Sequence, residues 1–287
     1  MFEVSFPGLG IGPFEINSTA FTIFGHPVAW YGIIIACGMI CAFLYGLSRA
    51  KIEGVKSDDI IDMTLFLIIA GIVGARLYYV IFKLDDFIAT GGSFFQNLGS
   101  TLYNIVAVWN GGLAIFGGII AGFFTALVVA RVKKIYFPVI LDILGPSVIL
   151  AQGIGRWGNF TNGEAYGSET DAFIRMGLTK YSGGGAFSNY FEVHPAFLYE
   201  SLWCILGFVL MTVFYKKKKF NGQIFYFYMI WYGAGRAVIE GLRTDSLYLF
   251  STGIRVSQLF AVLVCIAGIA LTVFFDVKKK KEQLKNA

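Results

Sequence analysis

Charge is scarce in this chain: only 14% of its 287 residues are Asp, Glu, Lys or Arg, against ~25% in ordinary soluble domains. With 56% hydrophobic residues and a mean hydropathy of +0.68, that scarcity excludes a soluble globular protein and indicates an integral membrane protein. Histidine is nearly missing, with His26 and His194 the only two, each before a proline at the entrance of an apolar run, so an intramembrane Ser–His hydrolase lacks its histidine within a run. The four cysteines, Cys37, Cys41, Cys204 and Cys265, all fall inside apolar runs, without metal-ligand spacing or histidine companions, and read as structural thiols. No metal and no cofactor is expected. The lead Met1–Gly10 lacks a basic stretch and carries Glu3, so no cleavable signal peptide is expected.

Aromatic residues and long apolar runs are what the chain has in abundance. Its 29 phenylalanines and 15 tyrosines suit lipid-facing and interfacial positions. Seven runs, near the ~20 residues a bilayer requires, begin at about Pro27, Asp59, Gly111, Phe137, His194, Gly222 and Ile254. The predicted fold is an all-α membrane protein of seven transmembrane helices. It forms a single polytopic domain over 1–287, with residues 158–193 as a small extracytoplasmic head insertion tipped by Gly183-Gly184-Gly185. Residues 1–26 read as a polar-to-mixed lead.

The net charge of +5 does not point to nucleic acid, because its lysines sit in short loops between apolar runs. Arg49, Lys51 and Lys56 follow the first run. Arg131, Lys133 and Lys134 follow the third, Lys216–Lys219 the fifth, and Lys278–Lys281 with Lys285 occupy the tail. By the positive-inside rule these ends are cytoplasmic, which puts the N-terminus and the head outside and the C-terminus inside. Small residues at Gly71, Gly74, Gly117, Gly118 and Gly122 predict close contact between the second and third helices.

Residues Gly155-Arg-Trp-Gly-Asn-Phe-Thr-Asn-Gly-Glu-Ala-Tyr-Gly167 stand apart. At the end of an apolar run they gather an arginine, a tryptophan, two asparagines, a glutamate and four glycines. Glycine there frees the backbone for a tight turn or for close approach of a ligand. The plain alternative is a capped helix end running into a loop. Measured at ~1.5 Å per residue from the cytoplasmic ends, Arg156 lies ~28 Å along its helix, Arg76 ~26 Å, Arg236 ~21 Å and Glu240 ~27 Å. Tyr31, Trp109, Asn110, His194, Tyr199 and Glu200 begin helices at the outer side, so the unusual residues share one depth, that of the outer-leaflet head groups. Tyr232, Arg236 and Glu240 recur at i, i+4, i+8 on one helix face, as Gln152, Arg156 and Asn159 nearly do on another. One such arginine is explained equally well by snorkelling or a structural ion pair. Three with polar companions resemble an anion clamp, for which the planar guanidinium fork is suited. Asp62 and Asp142 lie far from this depth and are expected to make helix contacts or close the cytoplasmic end.

The thirteen-residue stretch resembles the signature of the bacterial phosphatidylglycerol–prolipoprotein diacylglyceryl transferases. The resemblance continues through Trp30-Tyr31-Gly32, Gly74–Val80, Trp109-Asn-Gly-Gly112, His194-Pro195 with Tyr199-Glu200, and Tyr232 to Arg243. It implies an enzyme of the bacterial cytoplasmic (inner) membrane that moves diacylglyceryl from phosphatidylglycerol to the lipobox cysteine of a prolipoprotein, forming a thioether and releasing glycerol phosphate. Its partners would be that lipid, the lipobox peptide and the bilayer, with no nucleic acid. Arg156, Arg236 and Glu240 are the expected catalytic residues; Tyr31, Arg76, Asn159, Glu164, His194, Tyr232 and Arg243 are the expected substrate-binding residues. One position departs from the family pattern: Phe116 stands where some members carry a histidine considered as the thiol base. Glu240, Glu164, His194 or the field of the arginines remain as routes to a thiolate. A transporter would also keep arginines in a polar membrane cavity, but the chain shows no convincing internal repeat and its polar residues are not at mid-depth.

Overall fold

Apolar runs punctuated by basic loops fold into helices because the backbone can satisfy its own hydrogen bonds only that way in lipid. The computed structural model describes residues 1–182, 187–249 and 252–285, so the Gly183–Gly185 tip lies outside the described residues. Eight α-helices follow in order: α1 (Trp30–Ile52), α2 (Ser57–Phe82), α3 (Phe94–Val106), α4 (Ile115–Val132), α5 (Phe137–Asn162), α6 (Ala196–Phe214), α7 (Gln223–Glu240) and α8 (Val256–Lys285). Six of them, α1, α2, α4, α5, α6 and α8, are long and apolar enough to cross a membrane. The seventh expected span, α7, is not among the six, because Arg236, Glu240 and its three tyrosines dilute its hydropathy.

The chain is mostly helical but not all-α. Residues expected as an irregular lead form strands β1 (Phe2–Phe6), β2 (Ile11–Ile16), β3 (Thr19–Ile23) and β4 (His26–Ala29). With β5 (Met176–Ser182) and β6 (Phe187–Val193), the first two make an antiparallel sheet in the order β2-β1-β5-β6, while β3 and β4 pair separately. In β1, Phe2 and Val4 alternate with Glu3 and Ser5, the period-2 pattern of a half-buried strand. Phe2 and Val4 are buried with Met176, Leu178, Val193 and Phe197 in one apolar core. The N-terminal residues therefore complete the head.

The chain divides into two compact units, Leu47–Ile140 and the remainder, Met1–Gly46 with Leu141–Ala287. In the first, α2 and α4 approach closely: a side chain at Gly74 would strike Ala121 and the Gly117 carbonyl, and one at Gly117 would strike Gly74 and Tyr78. The expected contact of small residues is present, centred on Gly74 and Gly117; Gly122 meets only Leu67, at ordinary van der Waals distance. Lys133 closes the loop end of this pair, with Nζ 3.1 Å from Asp59 and 2.5 Å from Asp62.

In the larger unit α6 and α7 are held in register by two tryptophans. Trp203 Nε1 donates to the Trp231 carbonyl and Trp231 Nε1 to the Trp203 carbonyl, each at 2.9 Å. Their rings stack with centroids 4.2 Å apart. Each indole lies over a glycine of the opposite helix, Trp203 on Gly235 and Trp231 on Gly207, where any Cβ would collide. At the far end of α7, the fully buried Asp142 of α5 accepts from the backbone N–H groups of Gly222, Ile224 and Phe225 and from Lys218 Nζ at 2.8–3.2 Å. It thus supplies α7 with an N-cap from another helix. The expectation that Asp142 makes a helix contact is met by this geometry.

On the head sheet, Tyr190 donates to Glu192 Oε1 at 2.7 Å and Arg175 bonds Glu192 Oε2. The tyrosine hydroxyl first, then the guanidinium, holds the Glu192 carboxyl below the usual glutamate range. A depressed carboxyl stabilises the fold above its unfolded pKa of ~4.3 and ceases to as pH falls through the folded value. Carboxyl-carbon NMR of the protein in micelles should show Glu192 titrating below ~4.3, and Tyr190→Phe should move it upward. An unchanged midpoint in that variant would remove the tyrosine from the account.

Candidate active site

The signature residues are mainly helical, since α5 continues to Asn162. Gly163, at φ +60°, ends it. The Gly163 N–H bonds the Phe160 carbonyl and the Glu164 N–H reaches back to the Asn159 carbonyl, both at 3.1 Å, the paired closure of a Schellman cap. That turn brings Glu164 back over the helix end, where Asn159 Nδ2 donates to its Oε1 at 3.1 Å and Asn162 Nδ2 at 3.2 Å. The other signature glycines admit protein neighbours: Tyr31 and Ile35 of α1 lie over Gly158 and Gly155, and His194 over Gly167.

From Glu164 and Asn159 a continuous chain of polar contacts runs inward. Arg156 Nη1 donates to Asn159 Oδ1 at 3.2 Å, and its Nη2 lies 2.8 Å from Glu200 Oε1. Glu200 Oε2 is in turn 2.8 Å from Arg236 Nη1. Arg236 Nη2 pairs with Glu240 Oε2 at 2.5 Å, and Ser246 donates to Glu240 Oε1 at 2.8 Å. Tyr232 places its hydroxyl 3.5 Å from Glu200 and stacks on Tyr228, which bonds Gln152. The two carboxylate side chains are 3% exposed, while Arg156 and Arg236 keep 21% and 15%. The arginine side chains are therefore the more exposed members of a row whose anions are hidden.

Of the residues expected from sequence, Arg156, Arg236, Glu240, Asn159, Glu164 and Tyr232 join this chain directly, and Tyr31 flanks it across Gly158. Two stand beside it. His194 is tied by backbone bonds to Gly167 and Ser168, with Nδ1 3.2 Å from the Tyr199 hydroxyl. Arg243 grips Asp245 through Nε and Nη2 at 2.9 and 2.7 Å. Ser168 N–H meets the Leu242 carbonyl at 2.7 Å, strapping the post-signature loop to the exit of α7. Sequence reasoning placed Glu200 at the depth of the site but gave it no role, and it left Ser246 out. A carboxylate within the apolar run of α6 was the available signal for Glu200; Ser246 offered none.

Arg76 belongs to the other unit, buried at 6% exposure. Its Nε, Nη1 and Nη2 all donate to backbone carbonyls, those of Ile105, Gly111, Gly112, Asn104 and Ala107, at 2.5–3.2 Å. Phe87 lies against the guanidinium, 4.8 Å from ring centre. This is the coordination of a group that organises a loop: the carbonyls at the end of α3 and in the turn before α4 converge on it.

Six membrane-length helices, together with a row of alternating arginines and carboxylates carried on α5, α6 and α7, define a multi-pass integral membrane protein. A family model described as prolipoprotein diacylglyceryl transferase matches residues 18–274. Among curated proteins the chain is similar to the phosphatidylglycerol–prolipoprotein diacylglyceryl transferase of Finegoldia magna, at 42% identity over 94% of this chain and 99% of the relative. Proteins of the same name match from Enterococcus faecalis at 42% and Listeria welshimeri at 39%, each over 94% of both chains. The chain belongs to the prolipoprotein diacylglyceryl transferase family.

The carbonyl cage around Arg76 predicts a stability effect. Lysine has three donors on one nitrogen and cannot reach five carbonyls, and each buried acceptor left unpaired costs about 1–3 kcal/mol. Arg76→Lys should lower the melting temperature in detergent by several degrees. A melting curve identical to that of the wild type would show that the cage contributes nothing.

Proposed function

We propose that this chain transfers the diacylglyceryl group of phosphatidylglycerol to the lipobox cysteine of prolipoproteins, the first step of lipoprotein maturation. The observation carrying the reading is the Arg156–Glu200–Arg236–Glu240 row, on a chain whose relatives bear that enzyme's name. In the reaction the cysteine S–H gives up its proton, sulfur bonds to the terminal glyceryl carbon, and the carbon–oxygen bond to phosphate breaks. The electron pair departs on glycerol phosphate. Arg156 and Arg236 bind the phosphate and stabilise the charge that grows on it as the bond breaks. Glu240 shares Arg236 with the incoming phosphate. As the phosphate draws that guanidinium away, the carboxylate loses its counter-charge and becomes the nearest acceptor for the thiol proton. Phe116 can take no proton, so the base must be another residue. Tyr31, Asn159, Glu164, His194, Tyr232 and Arg243 line the path of the head group and peptide, while Arg76 is assigned to its loop.

In this reading α7 counts as a seventh span of a bacterial cytoplasmic-membrane protein. The head and N-terminus lie outside, where phosphatidylglycerol and exported prolipoproteins meet, and the lysine-rich ends lie inside. Arg156→Lys keeps the charge and loses the paired fork. Assayed with labelled phosphatidylglycerol and a lipobox peptide, it should form thioether at least 100-fold more slowly, about 2.7 kcal/mol of lost transition-state stabilisation. Thioether formation at the wild-type rate would take Arg156 out of the chemistry.

A further inference from the structure

Glu200 touches two guanidinium groups that come from different helices, and nothing in the reaction uses it. Oε1 holds Arg156 of α5 and Oε2 holds Arg236 of α7, both at 2.8 Å, and the residue is 2% exposed. We infer that Glu200 is the positioning residue of the site: its carboxylate sets the separation and tilt of the two arginines that receive the phosphate. The inference rests on the function proposed above.

Three features support it. Two guanidiniums facing one anion repel each other, and a carboxylate between them is what lets both stay close without substrate. Both carboxylate oxygens are occupied, so Glu200 has no rotamer that serves one arginine without losing the other. Its backbone is held on both sides. The adjacent Ser201 donates to the Gly153 carbonyl at 2.8 Å and accepts from Trp157 Nε1 at 3.1 Å, bonding α6 to residues on either side of Arg156. Three positions further on, Trp203 locks α6 to α7 through Trp231. The charged and titratable groups facing Glu200 are thus Arg156 from α5, Arg236 and Tyr232 from α7, and Cys204 from its own helix.

A carboxylate that only aligns arginines has a kinetic signature distinct from a packing residue. Glu200→Gln keeps the shape and removes the negative charge. The pocket then attracts anions at least as strongly, while the arginines lose their common reference. The expected result is a kcat at least tenfold lower, a KM for phosphatidylglycerol unchanged or lower, and tighter inhibition by added glycerol phosphate, in protein whose melting curve, lowered by the loss of the buried charge, still shows it folded at the assay temperature. Glu200→Asp, too short to span both guanidiniums, should show the same split in kcat and KM to a lesser degree and serves if the glutamine variant does not fold. A kcat within threefold of wild type in the folded variants overturns the inference, as does a rise in KM that tracks a fall in melting temperature. Arg156→Lys measured alongside separates the two levels. If it is inactive while Glu200→Gln is normal, only the positioning role fails; if it is fully active, the phosphate-handling reading fails with it.

Discussion

One buried carboxylate shared by two arginines is the constraint around which the larger unit is arranged. Burying an ion pair is seldom a source of stability, because the desolvation of each charge offsets most of the attraction. Removing one member is another matter, since the remaining charges are left in a medium that cannot solvate them. The row Arg156–Glu200–Arg236–Glu240 balances two positive against two negative groups, so it is neutral before any phosphate arrives. Its carboxylate side chains are hidden and its arginine side chains are the more exposed members.

Such a row needs three helices fixed to within hydrogen-bond tolerance, and the packing around it is specialised accordingly. The reciprocal Trp203–Trp231 pair sets the register of α6 against α7, and the glycines beneath the rings let the helices come near enough for each indole to find a carbonyl. Ser201 does the same between α6 and α5. Asp142 fixes the opposite end of α7 by accepting from its first free N–H groups. None of these contacts touches the polar row, yet a slide of one residue in any helix would move a guanidinium by ~1.5 Å, enough to break a 2.8 Å contact.

Much of this was legible in the sequence, and the exceptions have physical causes. Helix positions followed from apolar runs, and Arg156, Arg236, Glu240, Asn159 and Glu164 from polar types that lipid does not tolerate alone. The N-terminal strands were missed although β1–β2 and β3–β4 pair locally: the strands are short and Gly12-Pro13 and Pro27 interrupt the β pattern, while the β1–β5 pairing lies beyond the reach of any local pattern. The glycines of the signature were read as room for a tight turn or a close ligand; Gly163 makes the turn, while Gly158 and Gly155 make room for Tyr31 and Ile35. Arg76 was grouped with the other arginines by depth along its helix. Depth gives no direction, and its donors turn instead to the carbonyls of its own loop.

The polarity of α7 is the remaining discrepancy, and the same row accounts for it. Hydropathy treats each side chain as if it faced hydrocarbon alone, and by that measure α7 falls short of the six membrane-length helices. Its polar groups are not alone. Tyr228 is bonded to Gln152, Tyr232 is near Glu200, Arg236 lies between two carboxylates, and Glu240 has Arg236 and Ser246. Polar groups satisfied by protein partners, on α7 itself, on neighbouring helices or in the following loop, do not meet the full transfer penalty that lone ones would. The 18 residues of α7 extend ~27 Å, close to the ~30 Å of a bilayer core. The residues that lower the hydropathy of α7 are the ones that join it to the polar row.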